Sequence, residues 1–389
     1  MSDFIFNTTP SVVVRAGGAA DIAAVLSPFN LAQSAPILFV TDPGLMSLGL
    51  ADAALASLKA AGHAVTVFSN IEPDPKATTV ETAAQIARDA KVHAVIGFGG
   101  GSSMDVAKVA ALLLGSDQSL DEMYGVGLAS GRRLPLVLVP TTAGTGSEVT
   151  PISILTTGTA EKKGISSPLI LPDIALLDAD LTLGLPAAVT AATGVDAMVH
   201  AIEAYTSTNA NANPVSKALA VEALRLLSAN IRTVVTDGTD RDAREAMLLG
   251  SMLAGQAFAN SPVAAVHALA YPIGALFKVP HGLSNALVLS EVMRFNAPNA
   301  MAAYAELAPV VFPDIDLDKG SQAVVADFIA RLDALNTELG LEPGLRSVGI
   351  TEGDLDKLAA DAMNQTRLLV NNPRIVTEAD ARAIYQAAL

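Results

Sequence analysis

Residues 93–108, HAVIGFGGGSSMDVAK, combine a strand, a glycine turn and a helix in that order. The apolar run HAVIGFGGG (93–101) predicts a strand, and the residues from about Ser103 to Leu114 predict a helix. A helix that begins just after consecutive glycines offers free backbone N–H groups and the positive end of its dipole to an anion. The stretch therefore predicts a phosphate-binding turn, although tight-turn geometry alone explains such glycines about as often. It is not the usual dinucleotide fingerprint, because Ser102 occupies the third glycine position.

The same alternation of strand and helix extends on both sides of this stretch. Apolar runs that predict further strands are APILFVTD (35–42), HAVTVFSN (63–70) and LPLVLVPTT (134–142), with helical patterns between them. Strands this apolar indicate a parallel sheet that helices cover on both faces. Farther on, ISILTT and LILPDIALLD, separated by the turn-like GTAEKKG, predict a hairpin at the edge of the sheet.

A second polar loop follows the last of these strands. PTTAGTGSEVT (140–150) is dense in hydroxyls and glycines, and two such loops on neighbouring strand ends make a crevice of the kind in which α/β sheets bind ligands. Asp42, at the end of the first predicted strand, can accept a hydrogen bond from a ribose hydroxyl, although capping the next turn is an equally good explanation. The candidate contacts from strand ends and loops are Asp42, Gly99, Gly100, Gly101, Ser102, Ser103, Asp105, Thr141, Thr142, Thr145 and Ser147.

The length and composition bound the class of protein. A chain of 389 residues is longer than a domain with a single hydrophobic core usually is. Patterns that predict strands become rare after residue 184. We therefore predict an α/β domain at 1–183 and an all-α domain at 184–389. The net charge of −15 and the absence of a basic run argue against a nucleic-acid partner. No secretory signal or membrane-spanning run is visible, and the absence of cysteine excludes disulfides and thiolate metal sites. We expect a cytoplasmic protein without a membrane partner.

The helical half holds an unusual set of metal-ligating residue types. GVDAMVHAIEAY (194–205) places Asp196 and His200 four residues apart, hence on one helical face, where such pairs are more often surface or capping pairs. VHALAYPIGALFKVPHG (266–282) adds His267 and His281, which an unbroken helix would carry about 21 Å apart. Its prolines and glycines predict a turn that can bring the two imidazoles together. One carboxylate and three imidazoles suit a divalent metal with a position left for substrate.

Four separated motifs resemble those of the iron-containing, or group III, alcohol dehydrogenase family. They are GGGSSMDVAK, PTTAGTGSEVT, GVDAMVHAIEAY and HALAYPIGALFKVPHG, in the order and spacing of that family. The resemblance implies a dehydroquinate synthase-like architecture: an N-terminal dinucleotide-binding α/β domain, a C-terminal helical domain and a metal in the cleft between them. It implies metal ligation by Asp196, His200, His267 and His281. It also implies pyrophosphate contacts from Gly100, Gly101 and Ser102, and further cofactor contacts from Thr141, Thr142, Thr145 and Lys163.

One position departs from the family pattern. Many members carry a further histidine four residues after the first ligand of the last motif, where this chain has Tyr271. A phenol there would serve as a neutral proton donor or relay, and simple packing is the competing explanation. Tyr271 is therefore the candidate catalytic residue.

The sequence as a whole predicts a metal-dependent, NAD-linked alcohol dehydrogenase that interconverts a small primary alcohol and its aldehyde. Asp42 favours NAD over NADP, because a carboxylate repels a 2′-phosphate. Fe²⁺ and Zn²⁺ both suit the ligand set. The alternatives are a hydroxyacid–oxoacid transhydrogenase that retains its nicotinamide and a dehydroquinate-synthase-like lyase. We expect a homodimer or a higher homo-oligomer.

Overall fold

The computed structural model describes residues 3–158 and 161–389, which form two compact units. The α/β unit contains residues 7–142 and 146–183. The helical unit contains residues 184–389, together with residues 3–6 and the segment Ala143–Thr145. The loop at 140–150 thus contributes to both units.

The α/β unit contains all the strands that the structure describes. They are β1 (Ser11–Val14), β2 (Ile37–Val40), β3 (Val65–Phe68), β4 (Ala94–Gly99), β5 (Gly125–Val126), β6 (Leu136–Pro140), β7 (Ile152–Thr157), β8 (Glu161–Ser166) and β9 (Ile174–Leu177). Its α-helices are α1 (Ile22–Val25), α2 (Pro43–Ser47), α3 (Asp52–Ala60), α4 (Ala77–Asp89), α5 (Gly101–Leu113) and α6 (Leu120–Met123).

Within the described residues, the main sheet has six strands in the order β1-β9-β6-β4-β2-β3, and every neighbouring pair is parallel. Its central strands are apolar at every position and fully buried, because separate apolar clusters pack on the two faces of the sheet. Gly99 pairs with Pro140, so the glycine turn and the 140–150 loop leave the sheet side by side. The predicted fold class is confirmed.

The predicted hairpin is wrong in its second strand. β7 pairs antiparallel with β8, whose sequence EKKGIS overlaps the predicted turn GTAEKKG, and both belong to a small sheet of order β5-β8-β7. The strand β8 is difficult to predict because its N-terminal half carries charged side chains, which are exposed or only partly buried. The segment 174–177 instead forms β9, a fully buried strand between β1 and β6 of the main sheet. Thr159 and Ala160 of the predicted turn lie outside the described residues, and β1 has no counterpart among the predicted strands.

The helical unit packs around one large apolar cluster. Its α-helices are α7 (Ala187–Thr206), α8 (Pro214–Thr236), α9 (Arg241–Asn260), α10 (Ala265–Phe277), α11 (His281–Val311), α12 (Ser321–Glu338), α13 (Leu355–Met363), α14 (Thr366–Leu369) and α15 (Glu378–Ala387). α7 is buried along most of its length, including its polar residues Asp196, His200 and Glu203. Among the helices of the described residues, none is both long and apolar enough to cross a bilayer.

Candidate metal and cofactor sites

The helix α7 presents two of the predicted ligands to the interior of the helical unit. Asp196 and His200 are both buried on the same face, one helical turn apart. The Nδ1 of His200 lies 3.2 Å from the carbonyl oxygen of Gly144, and its ring stacks on Phe258 at a centroid distance of 4.3 Å. The ring is therefore held on two sides, which fixes the direction of its other nitrogen.

The chain turns between the other two histidines, as its prolines and glycines indicate. α10 ends at Phe277, Lys278 closes it in the left-handed conformation with φ 59°, and Pro280 leads into α11, which begins at His281. The His267 and His281 rings consequently lie 5.5 Å apart between centroids. Gly282 permits this arrangement, because a side chain there would collide with the carbonyl oxygen of Ala192 on α7.

The four predicted ligands form one cluster in the helical unit. Each offers a ligand atom, and these atoms lie within 4.8 Å of one another. Oδ1 of Asp196 is 3.8 Å from Nε2 of His267 and also 3.8 Å from Nε2 of His281. Four atoms that each lie about 2 Å from one ion are at most about 4 Å apart, so small side-chain movements would bring this set around a single ion.

The charges in the cluster also fit a divalent cation. Burial would raise the pKa of Asp196, but the imidazoles of His281, His200 and His267 and the hydrogen bond from Asn285 outweigh it and lower that pKa. Burial lowers the pKa of His200 to about 3, so its ring is neutral near pH 7 and has a lone pair to give. Nε2 of His267 is buried and, within the described residues, has no hydrogen-bond partner. A metal ion would satisfy a buried, unpartnered ring nitrogen of this kind beside an ionised carboxylate.

The glycine turn has the geometry predicted for an anion site. Gly100 precedes α5 in an extended conformation, and Gly101, Ser102 and Ser103 form the first turn of that helix. Gly99 adopts φ 151°, and a Cβ atom there would approach the hydroxyl of Ser103 to 2.7 Å, so only glycine fits.

The 140–150 loop lies beside this turn. The Thr141 N–H donates to the Gly99 carbonyl at 3.1 Å, and Oγ1 of Thr142 would be 3.8 Å from a Cβ atom at Gly100. The structure therefore brings together the predicted residues at 99–103 with Thr141 and Thr142. Thr145 belongs to the helical unit.

Asp105 and Ser147 bond to each other and to other protein groups. Oδ1 of Asp105 accepts from the Ser147 hydroxyl at 2.7 Å, and Oδ2 accepts from the Ile154 N–H at 2.9 Å. The fully buried ammonium of Lys108 adds a bond to Asp105 at 3.2 Å, and it also donates to the Ile152 carbonyl at 2.7 Å. In this structure Asp105 thus ties α5 to the segment that follows the 140–150 loop.

Two further predicted cofactor residues make contacts away from the glycine turn. Oδ1 of Asp42 accepts from the Leu45 N–H at 3.0 Å and caps α2. Lys163 lies in the small sheet, where its ammonium is 3.5 Å from Glu161 and 5.8 Å from the centre of the Tyr124 ring. Their roles toward a cofactor stay predictions.

Family models match nearly the whole chain. A model described as iron-containing alcohol dehydrogenase matches residues 9–179, and one described as the C-terminal part of the Fe-containing alcohol dehydrogenase family matches residues 190–389. The chain belongs to the iron-containing alcohol dehydrogenase family. The predicted membership is confirmed, and the chain is an oxidoreductase that acts on CH–OH groups.

Named relatives of this family member span nearly all of its length. It is 42% identical over 355 residues to long-chain-alcohol dehydrogenase 1 of Geobacillus thermodenitrificans, covering 90% of this chain and 89% of that one. It is 31% identical over 385 residues to the NAD-dependent methanol dehydrogenase of Bacillus methanolicus, covering 99% of both. A solved structure of a 1,3-propanediol oxidoreductase superposes with a TM-score of 0.95 at 34% identity, with each chain covered completely. The predicted cofactors, iron and NAD, are those that the names of the family and of the methanol dehydrogenase carry.

Tyr271, where this family member departs from many others, lies next to the cluster. Its ring centre is 5.9 Å from that of His281. Burial raises the pKa of the Tyr271 phenol, and the nearby Arg367 guanidinium opposes that rise. The phenol is therefore protonated at neutral pH, as a proton donor must be.

Among the described residues, the side chains of Glu203 and Asn285 bond to ligands and were not predicted from the sequence. Glu203 contacts Nδ1 of His267 at 2.6 Å, and Nδ2 of Asn285 donates to Oδ1 of Asp196 at 2.6 Å. Helical spacing could have identified both, because Glu203 follows His200 by three residues and Asn285 follows His281 by four. Spacing alone could not show that those faces are buried.

Proposed function

We propose that this chain is a metal-dependent, NAD-linked alcohol dehydrogenase that interconverts a small primary alcohol and its aldehyde by hydride transfer. The observation that carries the proposal is the cluster of one carboxylate and three imidazoles, in which the buried Nε2 of His267 has no protein partner within the described residues. A buried ring nitrogen without a partner, beside three other possible ligands, is explained by a metal ion and is costly without one.

Asp196, His200, His267 and His281 would hold the metal, and this ligand set suits Fe²⁺ or Zn²⁺. A bound divalent ion would supply Lewis-acid chemistry, which favours the alkoxide form of an alcohol and polarises an aldehyde. His200 is fixed by the Gly144 carbonyl and by the Phe258 ring, so its contribution requires little reorganisation. Three of the four ligands are buried, which keeps bulk water from their side chains.

Tyr271 is the residue that we propose to exchange a proton with the substrate oxygen. Its ring lies against His281, and its raised pKa keeps the phenol protonated at neutral pH. A protonated phenol can donate to the oxygen of an aldehyde as hydride arrives at carbon, and the phenolate can take the proton back in the oxidative direction.

The nicotinamide cofactor would use the two adjacent loops of the α/β unit. The first turn of α5 offers backbone N–H groups to a pyrophosphate, and Thr141 and Thr142 add neighbouring donors. NAD is preferred in this proposal because Asp42 stands at the end of β2 and because one relative is named as NAD-dependent. A nicotinamide cofactor held by these loops would supply hydride-transfer chemistry to the substrate carbon.

The substrate is a small molecule. The alcohols in the names of the relatives differ in length, from methanol to long-chain alcohols. We propose a small primary alcohol. We also propose that the enzyme is cytoplasmic and forms a homodimer or a higher homo-oligomer.

The test is metal analysis of anaerobically purified enzyme, followed by assays of alcohols and aldehydes with NAD and with NADP. We expect about one divalent ion per chain, metal-dependent turnover, and faster turnover with NAD. An Asp42→Gly variant should narrow the preference for NAD. A metal-free enzyme that turns over at full rate, or turnover only in the presence of a second oxoacid, would contradict the proposal.

A further inference from the structure

We propose that Glu203 is a positioning residue that holds His267 in one tautomer, with the proton on Nδ1 and the lone pair of Nε2 directed at the metal cluster before any metal binds. The inference rests on the proposed metal site, but it concerns a residue outside the four ligands. Glu203 lies on α7, one turn beyond His200, and is buried.

The Glu203 carboxylate makes two short contacts with adjacent residues of α10. One oxygen, Oε1, accepts from the Val266 N–H at 2.7 Å. The other, Oε2, lies 2.6 Å from Nδ1 of His267. The carboxylate therefore contacts the Val266 backbone and the His267 ring at the same time. These contacts fix the rotation of the imidazole and the position of the first turn of α10.

The surroundings of Nε2 decide which ring nitrogen carries the proton. Within the described residues Nε2 has no hydrogen-bond partner, and the nearby Oδ1 of Asp196 is 3.8 Å away, beyond hydrogen-bond distance. A proton on Nε2 would thus be a buried donor without an acceptor, which is unfavourable. A proton on Nδ1 instead meets a carboxylate oxygen. The Nδ1–H tautomer is the stable one, and it leaves Nε2 free to bind metal.

A carboxylate at position 203 stabilises the Nδ1–H tautomer of His267, whereas an amide would not. Both Glu203 oxygens face donors, the Val266 N–H and the His267 Nδ1–H. An amide replaces one oxygen with an NH₂ group. If the NH₂ faces Val266, two donors oppose each other, and if it faces the ring, the proton of His267 must move to Nε2 and block the metal-binding lone pair.

The competing explanation is that Glu203 only caps the N-terminus of α10. Both roles predict a loss of stability on mutation, so stability alone does not separate them. The chain offers a matched control in Asp240, whose Oδ1 accepts from the Ala243 N–H at 2.9 Å at the start of α9. This carboxylate caps a helix of the same unit without being bonded to any of the four ligands.

The experiment titrates the metal-free full-length enzyme with Co²⁺ in competition with a chelator, for the wild type, Glu203→Gln and Asp240→Ala. Thermal unfolding of the same metal-free samples measures the cap contribution. We expect Glu203→Gln to weaken Co²⁺ binding about 10- to 100-fold. Asp240→Ala removes the cap and should lower the melting temperature while binding Co²⁺ like the wild type. Wild-type affinity in Glu203→Gln, or equal losses of affinity in both variants, would overturn the proposal.

A second measurement does not depend on the variant folding. Nitrogen-15 NMR of the metal-free wild type, with the His267 signals assigned through His267→Asn, reports which nitrogen is protonated. We expect the Nδ1–H tautomer, and an Nε2–H tautomer would overturn the proposal. If the wild type itself does not bind Co²⁺, the proposed function fails as well, whereas tight binding unaffected by Glu203→Gln overturns only the role of Glu203.

Discussion

Asn285 donates a 2.6 Å hydrogen bond to Oδ1 of Asp196, a residue 89 positions earlier in the chain. The same amide nitrogen is 3.3 Å from Nε2 of His281. Oδ1 is also the Asp196 oxygen that lies closest to the two imidazoles of His267 and His281. The buried carboxylate therefore accepts a hydrogen bond from one neutral donor and lies beside two imidazoles, an arrangement that suits a cation.

This arrangement predicts the effect of Asp196→Asn. The substitution keeps the shape of the side chain but removes the only negative charge among the four ligands. Loss of an outer partner already costs about 10- to 100-fold in metal affinity, so loss of the ligand charge should cost at least as much. Metal content measured at limiting free metal checks this. Content equal to that of the wild type would remove Asp196 from the ligand set.

His281 and His267 make a matched pair for separating metal binding from folding. The His281 side chain is 47% exposed, whereas that of His267 is 2% exposed. Either alanine substitution should abolish turnover by removing a ligand. In metal-free protein, His281→Ala should change the unfolding free energy by less than about 0.5 kcal/mol, and His267→Ala should lower it by about 2–3 kcal/mol. Denaturant unfolding after metal removal measures both, and collapse of secondary structure in His281→Ala would show a structural histidine instead.

Local sequence determined most of the fold because apolar strands and helical spacing are local signals. β4 and α5 lie where HAVIGFGGGSSMDVAK predicts them. β8 was not predicted because three of the six residues of EKKGIS are charged and only one is buried, so the apolar pattern of the strand is weak. β9 was predicted to pair in a hairpin but lies between β1 and β6, because an apolar run does not indicate which strands will be its neighbours.

Some features of the candidate site can likewise be predicted from local sequence, and others cannot. The ligand types and the turn between His267 and His281 are visible in the sequence, because proline, glycine and spacing are local. The contacts of Glu203 and Asp105 are not visible, since each depends on a partner brought close only by folding. Asp105 stays a prediction as a cofactor contact, and its carboxylate accepts bonds from Ser147, Ile154 and Lys108. The sequence shows that such a residue is polar, but it does not show which groups its side chain will bond to.

The buried Glu148 predicts a pH dependence of stability in the α/β unit. It is 1% exposed, and within the described residues its Oε2 has no hydrogen-bond partner. Burial raises the pKa of Glu148 from 4.5 to about 7, against a backbone hydrogen bond and the charge of Lys108. Because the folded state holds this proton more tightly than the unfolded state, its stabilising effect is complete below pH 4.5. The effect is lost as the pH rises toward 7.

Glu148→Gln should therefore stabilise the protein at pH 8, by up to about 3 kcal/mol, and flatten the fall in stability between pH 4.5 and 7. Denaturant unfolding across this pH range measures both effects. At pH 4.5 the wild type and the variant should be similar, since both side chains are then neutral. A variant less stable than the wild type at pH 8 would mean that attraction to Lys108 outweighs burial.

Tyr271 gives the prediction that bears most directly on catalysis. Its ring lies 5.9 Å from that of His281, and its protonated phenol is the donor that we assign to aldehyde reduction. Tyr271→Phe should lower kcat for aldehyde reduction by at least about tenfold, the low end for a positioned acid after partial replacement by water. Metal content and NAD affinity should not change, because neither the ligands nor the glycine turn is altered.

The control for Tyr271→Phe is Tyr385→Phe, which removes a buried hydroxyl that donates to the Leu269 carbonyl of α10 at 2.6 Å. Losing this bond should reduce stability by about 1 kcal/mol and leave kcat near the wild-type value. A deuteride isotope effect on the reduction establishes that the chemical step limits kcat in the enzymes compared. With that established, wild-type kcat in Tyr271→Phe would mean that Tyr271 only packs against His281. A loss restricted to Tyr271→Phe requires its hydroxyl in the reaction, because both variants lose the same group from the same unit.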